Sequence, residues 1–494
     1  MTRLNALPTK GVVAEQVLAE ISGLRRTDLP THGGRLFAYV YDSAMAGLDD
    51  LAATAYALSA HVNGLNPTVF PSLLAMENAL VGAAAGLLGG GPAGVATVVG
   101  NVTSGGTESL ILAVKTARDS RPDIAEPELV VASSAHAAFA KAASYLKVRL
   151  VPVPVSPETL RPSAQDMAAA ITSSTVLVGC SAPSYSHGVV DPVQAIAAAA
   201  AECGVRCHVD ACFGGWVLPY LRRLGVAVAP FDFAVSGVTS ISVDLHKYAY
   251  CPKGVSVLLH RDEALRAPQY FAYADWPGYT MVNPTIASTR SGGPIAAAFA
   301  TLRHVGDDGY LRLAASTLEA VRELSSAVSS VEGLRLMLGG SAEPESTVVV
   351  FTSEDAALDL FVLADELTMR GWHTQPQLGY AGLPRSIHLT VTAAVAPRAS
   401  EFGPALTQAA AAARAAGPVE VPADLLAAVG ALAPSDFTPD LVASLSAALG
   451  LGTAAASPLP ERQALINTLL QAAPVSIRAA MFAAFLSLLQ RPTF

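Results

Sequence analysis

From about residue 60 to residue 300 the sequence alternates short apolar runs rich in Val and Ile with Ala-rich stretches of helical period, a pattern few architectures accept. The runs are Leu129–Ala132, Leu150–Val155, Val176–Cys180, Val205–Val209, Ser240–Val243 and Val255–Leu259. Each is too short for a helix and apolar on both faces. A strand of that kind is buried on both sides, which requires helices on both faces of the sheet. The expectation is a large α/β domain over residues 61–300 with a mostly parallel central sheet. Before it, residues 1–60 read as a helical arm, with a turn at Thr31-His32-Gly33-Gly34 and a helix from Leu48 to Leu58. After Arg290-Ser291-Gly292-Gly293 a long helix leads into a smaller α+β domain, residues 301–415, with strands at Thr347–Thr352 and Ser386–Thr392 around a helix from Asp359 to Arg370.

Residues 416–494 read as an Ala-rich helical extension, in which Thr438-Pro439-Asp440 is an N-cap followed by a first-turn proline. Near its end Ile477, Met481, Phe482, Phe485, Leu486 and Leu489 recur at helical spacing and predict one strong apolar face. That face is expected to pack on the enzyme or on a sister subunit, with peripheral membrane contact as the alternative.

Composition narrows the partners. The hydrophobic share is 52% and the mean hydropathy +0.42, but much of this is Ala, and no run approaches the roughly 18 apolar residues of a membrane span. Met1-Thr2-Arg3 opens a terminus without an apolar core or a small-residue cleavage site, so neither a signal peptide nor a transmembrane segment is expected. The 31 basic residues against 40 acidic ones give a net charge of −9 with no basic run, which argues against nucleic acid. Five scattered cysteines, Cys180, Cys203, Cys207, Cys212 and Cys251, read as reduced thiols and a cytoplasmic setting.

Lysine is scarce, with only six in the chain, so each is informative. Lys247 follows the apolar run Ser240–Val243 in Val-Asp-Leu-His246-Lys-Tyr, a strand end where a desolvated amine can form a Schiff base. A surface lysine after a strand is the plain alternative. Upstream, His208-Val-Asp210-Ala-Cys-Phe-Gly-Gly places a carboxylate at the end of another strand, where it either faces a ligand crevice or caps the next helix. Cys207 and His208 are adjacent on that strand and point to opposite faces, so no metal site is expected. Asn101-Val-Thr-Ser-Gly-Gly106-Thr107-Glu opens a helix with a glycine turn suited to phosphate. His136 follows a further strand, and it either stacks on a cofactor ring or caps a helix.

The order of these motifs resembles the group II pyridoxal 5'-phosphate-dependent decarboxylase superfamily and, within it, the sphingosine-1-phosphate lyase family. The resemblance covers about residues 35 to 395. It rests on Val102–Ser109, His136–Tyr145, His208–Gly215, Pro230-Phe-Asp-Phe233, Gly237–Ser242, His246-Lys-Tyr-Ala-Tyr-Cys-Pro-Lys-Gly254 and Asp275-Trp276. It implies the aspartate aminotransferase-like fold, fold type I, and pyridoxal 5'-phosphate as cofactor. Lys247 is then the Schiff-base lysine, Asp210 the partner of the pyridine nitrogen and His136 the ring-stacking residue, while Gly106, Thr107 and His246 hold the phosphate. Ser291 and Gly292 lie in a loop that in the family reaches the neighbouring subunit's cofactor, which implies a homodimer with shared active sites. On the substrate side the resemblance points to Tyr41, Asn63, Tyr185 and Lys253. Asn66 stands where the family has a histidine, Asn63-Gly64 replaces Asn-Pro, and Arg290-Ser291 replaces Arg-Pro.

The activity so implied is cleavage of a phosphorylated sphingoid base to a long-chain aldehyde and ethanolamine phosphate. An amino-acid decarboxylase would share the cofactor residues and could use Lys253 for a substrate carboxylate, but the Phe-Asp-Phe and His-Lys-Tyr strings favour the lyase. A catalytically silent binding protein of the same fold is disfavoured by the joint presence of Lys247, Asp210, His136 and Thr107.

Overall fold

A computed structural model describes residues 7–448 and 462–491, so the terminus read at Met1–Arg3 lies outside the described residues. Seven strands form the central sheet: β1 (Val99–Thr103), β2 (Glu128–Ala132), β3 (Arg149–Val153), β4 (Thr175–Ser181), β5 (Arg206–Asp210), β6 (Ser240–Asp244) and β7 (Ser256–His260). Their spatial order is β1-β7-β6-β5-β4-β2-β3, and only β7 runs against the rest. Strands β2, β4, β6 and β7 are buried along their whole length, the consequence of helices on both faces. Because β7 returns antiparallel to β6, the segment between them, residues 245–255, is held at the C-terminal edge of the sheet. That edge also carries the ends of β4 and β5, where Ser181 lies beside Asp210 and Asp210 beside Ser242.

Three strands of this region escape the periodicity reading. β1 is a mixed Val-Gly-Asn-Val-Thr run, and β8 (Phe271–Tyr273) with β9 (Met281–Asn283) makes an exposed hairpin. The helix after the Arg290 loop spans Gly293–Ser329 and breaks at Gly306, whose φ of 66° suits glycine. It leads to a four-stranded antiparallel sheet of β10 (Leu334–Leu336), β11 (Val348–Ser353), β12 (Gln375–Gln377) and β13 (Ser386–Thr390), in the order β10-β11-β13-β12. The helix Leu360–Thr368 covers it, N-capped by Asp359, whose carboxylate accepts from the amides of Phe361 and Val362.

The core of this smaller unit borrows a side chain from the N-terminal segment. Phe37 is fully buried, stacked on Trp372 at 5.6 Å and edge-on to Phe402 at 5.6 Å. By contrast, the helix Ala14–Leu24 buries none of its side chains in the chain.

The C-terminal helices Ala423–Gly430, Pro439–Ala448, Ala464–Ala472 and Val475–Leu489 form a separate cluster with its own core of Val429, Phe437, Val442, Leu469 and Ile477. The single apolar face expected on the last helix is corrected here. Ile477, Met481 and Phe485 turn into that core, whereas Phe482, Leu486 and Leu489 are 55%, 53% and 41% exposed. The helix is apolar around its circumference, and its neighbours cover only one side. Among the described residues, no helix is long and apolar enough to cross a membrane.

The Phe37–Trp372–Phe402 cluster should dominate the stability of the smaller unit. Phe402→Ala is expected to cost about 3–5 kcal/mol in chemical denaturation of the transition that reports this unit.

Candidate active site

The sheet's C-terminal edge opens into a cavity of about 420 Å³ that brings together Gly106, Thr107, His136, Tyr185, Asp210, His246 and Lys247. Its floor is the start of the helix Gly106–Asp119, which no side chain caps, so its first-turn N–H groups remain available to an anion. Gly106 is required by crowding: a Cβ there would stand 2.7 Å from Cys212 Sγ and 2.9 Å from Asp244 Oδ1. Asp210, at the end of β5, accepts the Cys212 N–H on Oδ1 at 3.1 Å. His136 accepts the Ala138 N–H on Nδ1 at 3.2 Å, so it caps the following helix and lines the cavity at once. His208 spends its ring nitrogens on the Ser240 and Ser242 hydroxyls, at 2.8 and 3.2 Å, and burial pushes it down to about 3.

Sequence reasoning missed the residue on which Lys247 depends. Lys247 Nζ lies 2.9 Å from Asp244 Oδ2, and His246 Nε2 lies 3.5 Å from the same oxygen. The other carboxylate oxygen accepts the Ser256 hydroxyl at 2.6 Å. Burial alone would raise the Asp244 carboxyl, but Lys247, His246 and Ser256 together hold it below the ordinary range. Burial would likewise lower Lys247, yet the Asp244 charge outweighs it and holds the ammonium well above its ordinary value. Burial lowers His246 despite Asp244, helped by the Lys253 and Lys247 charges. The signal was present in the sequence as an acid three residues before the lysine, at the last position of a buried strand.

Tyr41 and Lys253 do not line the cavity but stand behind its wall, Tyr41 edge-on to the lining Phe213 at 6.2 Å. Lys253 Nζ is 4.9 Å over the Tyr41 ring, and Tyr41 packs edge-on to Tyr248 at 5.1 Å. Protein around the Lys253 ammonium, and then the Lys247 charge, pull its pKa down to about 8, although the side chain keeps an exposed edge. Tyr185 donates to Gln375 Oε1 at 2.7 Å and stacks on His388 at 4.6 Å.

Within one chain, Asn63, Asn66, Ser291 and Gly292 lie outside the residues that line this cavity. Asn63 pairs with Ser291, the Ser291 hydroxyl donates to Ala60 O at 2.8 Å, and the Gly292 N–H donates to Val62 O at 2.8 Å. Asn63 and Asn66 line a different cavity, of about 650 Å³, together with Glu77 and Arg290. Asn66 Oδ1 is taken by the Thr68 amide at 3.0 Å and the Thr68 hydroxyl at 2.7 Å. Two buried carboxylates hold this arrangement. Glu77 pairs with Arg290 at 3.2 Å and accepts the Val102 N–H at 2.9 Å, and Glu108 bridges the amides of Ser104 at 2.6 Å and Ile286 at 2.8 Å.

Comparison with known proteins places this geometry. The model of the pyridoxal-dependent decarboxylase conserved domain matches residues 31–354, and a model of the C-terminal domain of pyridoxal-dependent enzymes, described as helix-turn-helix-like, matches residues 423–488. A sphingosine-1-phosphate lyase of Arabidopsis thaliana is 37% identical over 407 residues, covering 81% of this chain and 72% of the plant protein. The Dictyostelium discoideum lyase is 36% identical, covering 78% and 70%. Among solved structures, a sphingosine-1-phosphate lyase of Burkholderia pseudomallei superposes with a TM-score of 0.77 at 33% identity, over 83% of this chain and 93% of that one. A Lactobacillus brevis glutamate decarboxylase, TM-score 0.73 at 18% identity over 84% and 96%, shares the fold.

The cavity fits pyridoxal 5'-phosphate. It offers the uncapped first-turn amides of the helix Gly106–Asp119 for a phosphate, a buried amine, and a carboxylate from a neighbouring strand. Asp244→Asn should leave Lys247 buried without its countercharge and drop its pKa below the ordinary lysine value. Reductive methylation of Lys247 in the cofactor-free protein, followed by mass spectrometry across pH, is then expected to begin at lower pH in the variant than in the wild type.

Proposed function

This chain belongs to the pyridoxal-dependent decarboxylase family, alongside its sphingosine-1-phosphate lyases, and we propose that it cleaves the C2–C3 bond of phosphorylated sphingoid bases to a long-chain aldehyde and ethanolamine phosphate. The observation that carries the reading is the Lys247–Asp244 pair facing Asp210 and His136 across one cavity floored by the Gly106–Thr107 helix start. When bound, the cofactor supplies an aldehyde that captures amines and a ring that accepts the electron pair of the breaking bond.

The chain's own residues divide the remaining work. The Gly106 and Thr107 amides with His246 hold the phosphate, Asp210 keeps the pyridine nitrogen protonated, and His136 bounds the ring. Asp244 holds the proton on Lys247 Nζ and fixes that amine at the cavity wall. Burial, and then Tyr185 and Asp244, hold the Tyr41 phenol well above its ordinary pKa, so it donates a hydrogen bond and does not remove a proton. Lys253 supplies the cation for the substrate phosphate. The separation of Asn63, Asn66, Ser291 and Gly292 from their own chain's cavity supports a homodimer in which this loop completes the partner's site. The free state of the five cysteines supports a reducing, cytoplasmic setting.

Incubating the purified protein with pyridoxal 5'-phosphate and sphingosine 1-phosphate should release the long-chain aldehyde, detected by mass spectrometry, and Lys247→Ala should release none. Cofactor absorbance without aldehyde from the wild type would refute the substrate assignment. Because Lys253 loses its proton near pH 8, kcat/KM should fall as pH rises through about 8. Lys253→Gln is expected to lower kcat/KM below that pH and to erase this limb of the profile.

A further inference from the structure

The C-terminal helices, matched by a helix-turn-helix-like domain, carry four acidic and two basic residues over 423–488, a balance that does not suit a nucleic-acid backbone. Their contacts with the catalytic body point elsewhere. Asp365, on the helix Leu360–Thr368, accepts the N–H groups of Gln463 at 2.7 Å and Ala464 at 2.9 Å, and Arg462 pairs with Glu366 at 2.8 Å. These bonds fix the start of the helix Ala464–Ala472. About two turns on, Gln471 Oε1 accepts the Gly379 N–H at 2.7 Å.

Gly379 belongs to the loop from Gln377 to Ser386, which closes on itself through the Tyr380–Leu383 backbone pair. The loop is one wall of a cavity of about 410 Å³ whose opposite wall includes His136, Tyr185 and Val155. His136 and Tyr185 also line the Lys247 cavity, so the two spaces meet at these side chains. The loop presents Leu378, Tyr380, Leu383 and Pro384, and among the described residues no Asp, Glu, Lys or Arg lines the space. His187, on the other wall, is pushed down to about 4 by burial and is therefore neutral at ordinary pH. An uncharged cavity bordering one that binds a charged head group, with only the His136 and Tyr185 side chains in common, suits a hydrocarbon tail.

We propose that the cavity between the Gln377–Ser386 loop and His136–Tyr185 takes the hydrocarbon chain of the substrate, and that the C-terminal helices, through Gln471, hold that loop and so set chain selectivity. The inference rests on the lyase function proposed above. Gln471 reaches the loop through the Gly379 backbone and lines neither cavity, which makes it a positioning residue.

The test uses full-length holoenzyme, Gln471→Ala, and Gln471→Glu, which keeps an acceptor oxygen. Sphingosine 1-phosphate and a short-chain analogue with the same head group serve as substrates. Gln471→Ala is expected to speed hydrogen exchange in the 377–386 peptide and to raise KM for the long-chain base about 3- to 10-fold, the scale of one lost hydrogen bond. The short-chain KM, kcat and cofactor absorbance should not change, and Gln471→Glu should restore both exchange and KM. Unchanged loop exchange, an equal rise of KM for both bases, or a fall in kcat alone would overturn the proposal. If the wild type cleaves neither base, the lyase function fails and calorimetric binding of the long-chain base decides. Weaker binding to Gln471→Ala than to wild type sustains the proposal, whereas equal binding or none overturns it.

Discussion

The buried ion pair between Lys247 and Asp244 is the constraint around which the rest of the site is built. A lone ammonium at the end of a buried strand would be deprotonated or expelled, and breaking such a pair by removing one partner typically costs roughly 3–5 kcal/mol. Asp244 is therefore satisfied from three sides, by Lys247, His246 and the Ser256 hydroxyl. Each of these comes from β6, from β7, or from the return between them. The antiparallel turn of β7 against β6 is thus what gathers the charges. A parallel β7 would have required a long crossover and carried Ser256 to the opposite edge of the sheet, away from Asp244.

The same edge explains why the cavity can be polar in an apolar chain. The strands are buried on both faces, so their ends are the only places where the sheet can present carboxylates, hydroxyls and an amine to one volume without burying them unpaired. Asp210 and Asp244 are the last residues of β5 and β6.

Much of this was legible in the sequence because it is local. The Val- and Ile-rich runs become β2 to β7, and the lysine-poor composition singles out Lys247. What was not legible is either long-range or set by shape. β1 reads as no strand because Gly100 lies where a Cβ would meet the Leu258 carbonyl at 2.5 Å, so close approach to β7 dictates glycine where periodicity looks for an apolar side chain. The Glu77–Arg290 and Glu108–Ile286 locks join residues far apart in the chain, and a pattern of neighbours cannot show them. The last helix misled for the opposite reason: its apolar spacing is real, but its three partner helices supply cover for only one side.

Phe37 has an implication for how such a protein is made and rearranged. Its ring fills the core of a unit in which the rings it packs against, Trp372 and Phe402, emerge from the ribosome more than three hundred residues later. The smaller sheet can therefore condense only as a closed circuit of nearly the whole catalytic chain, and a shuffled gene that transplanted it without the opening segment would inherit a hole in its centre. The two ends of the enzyme are bound to travel together in evolution.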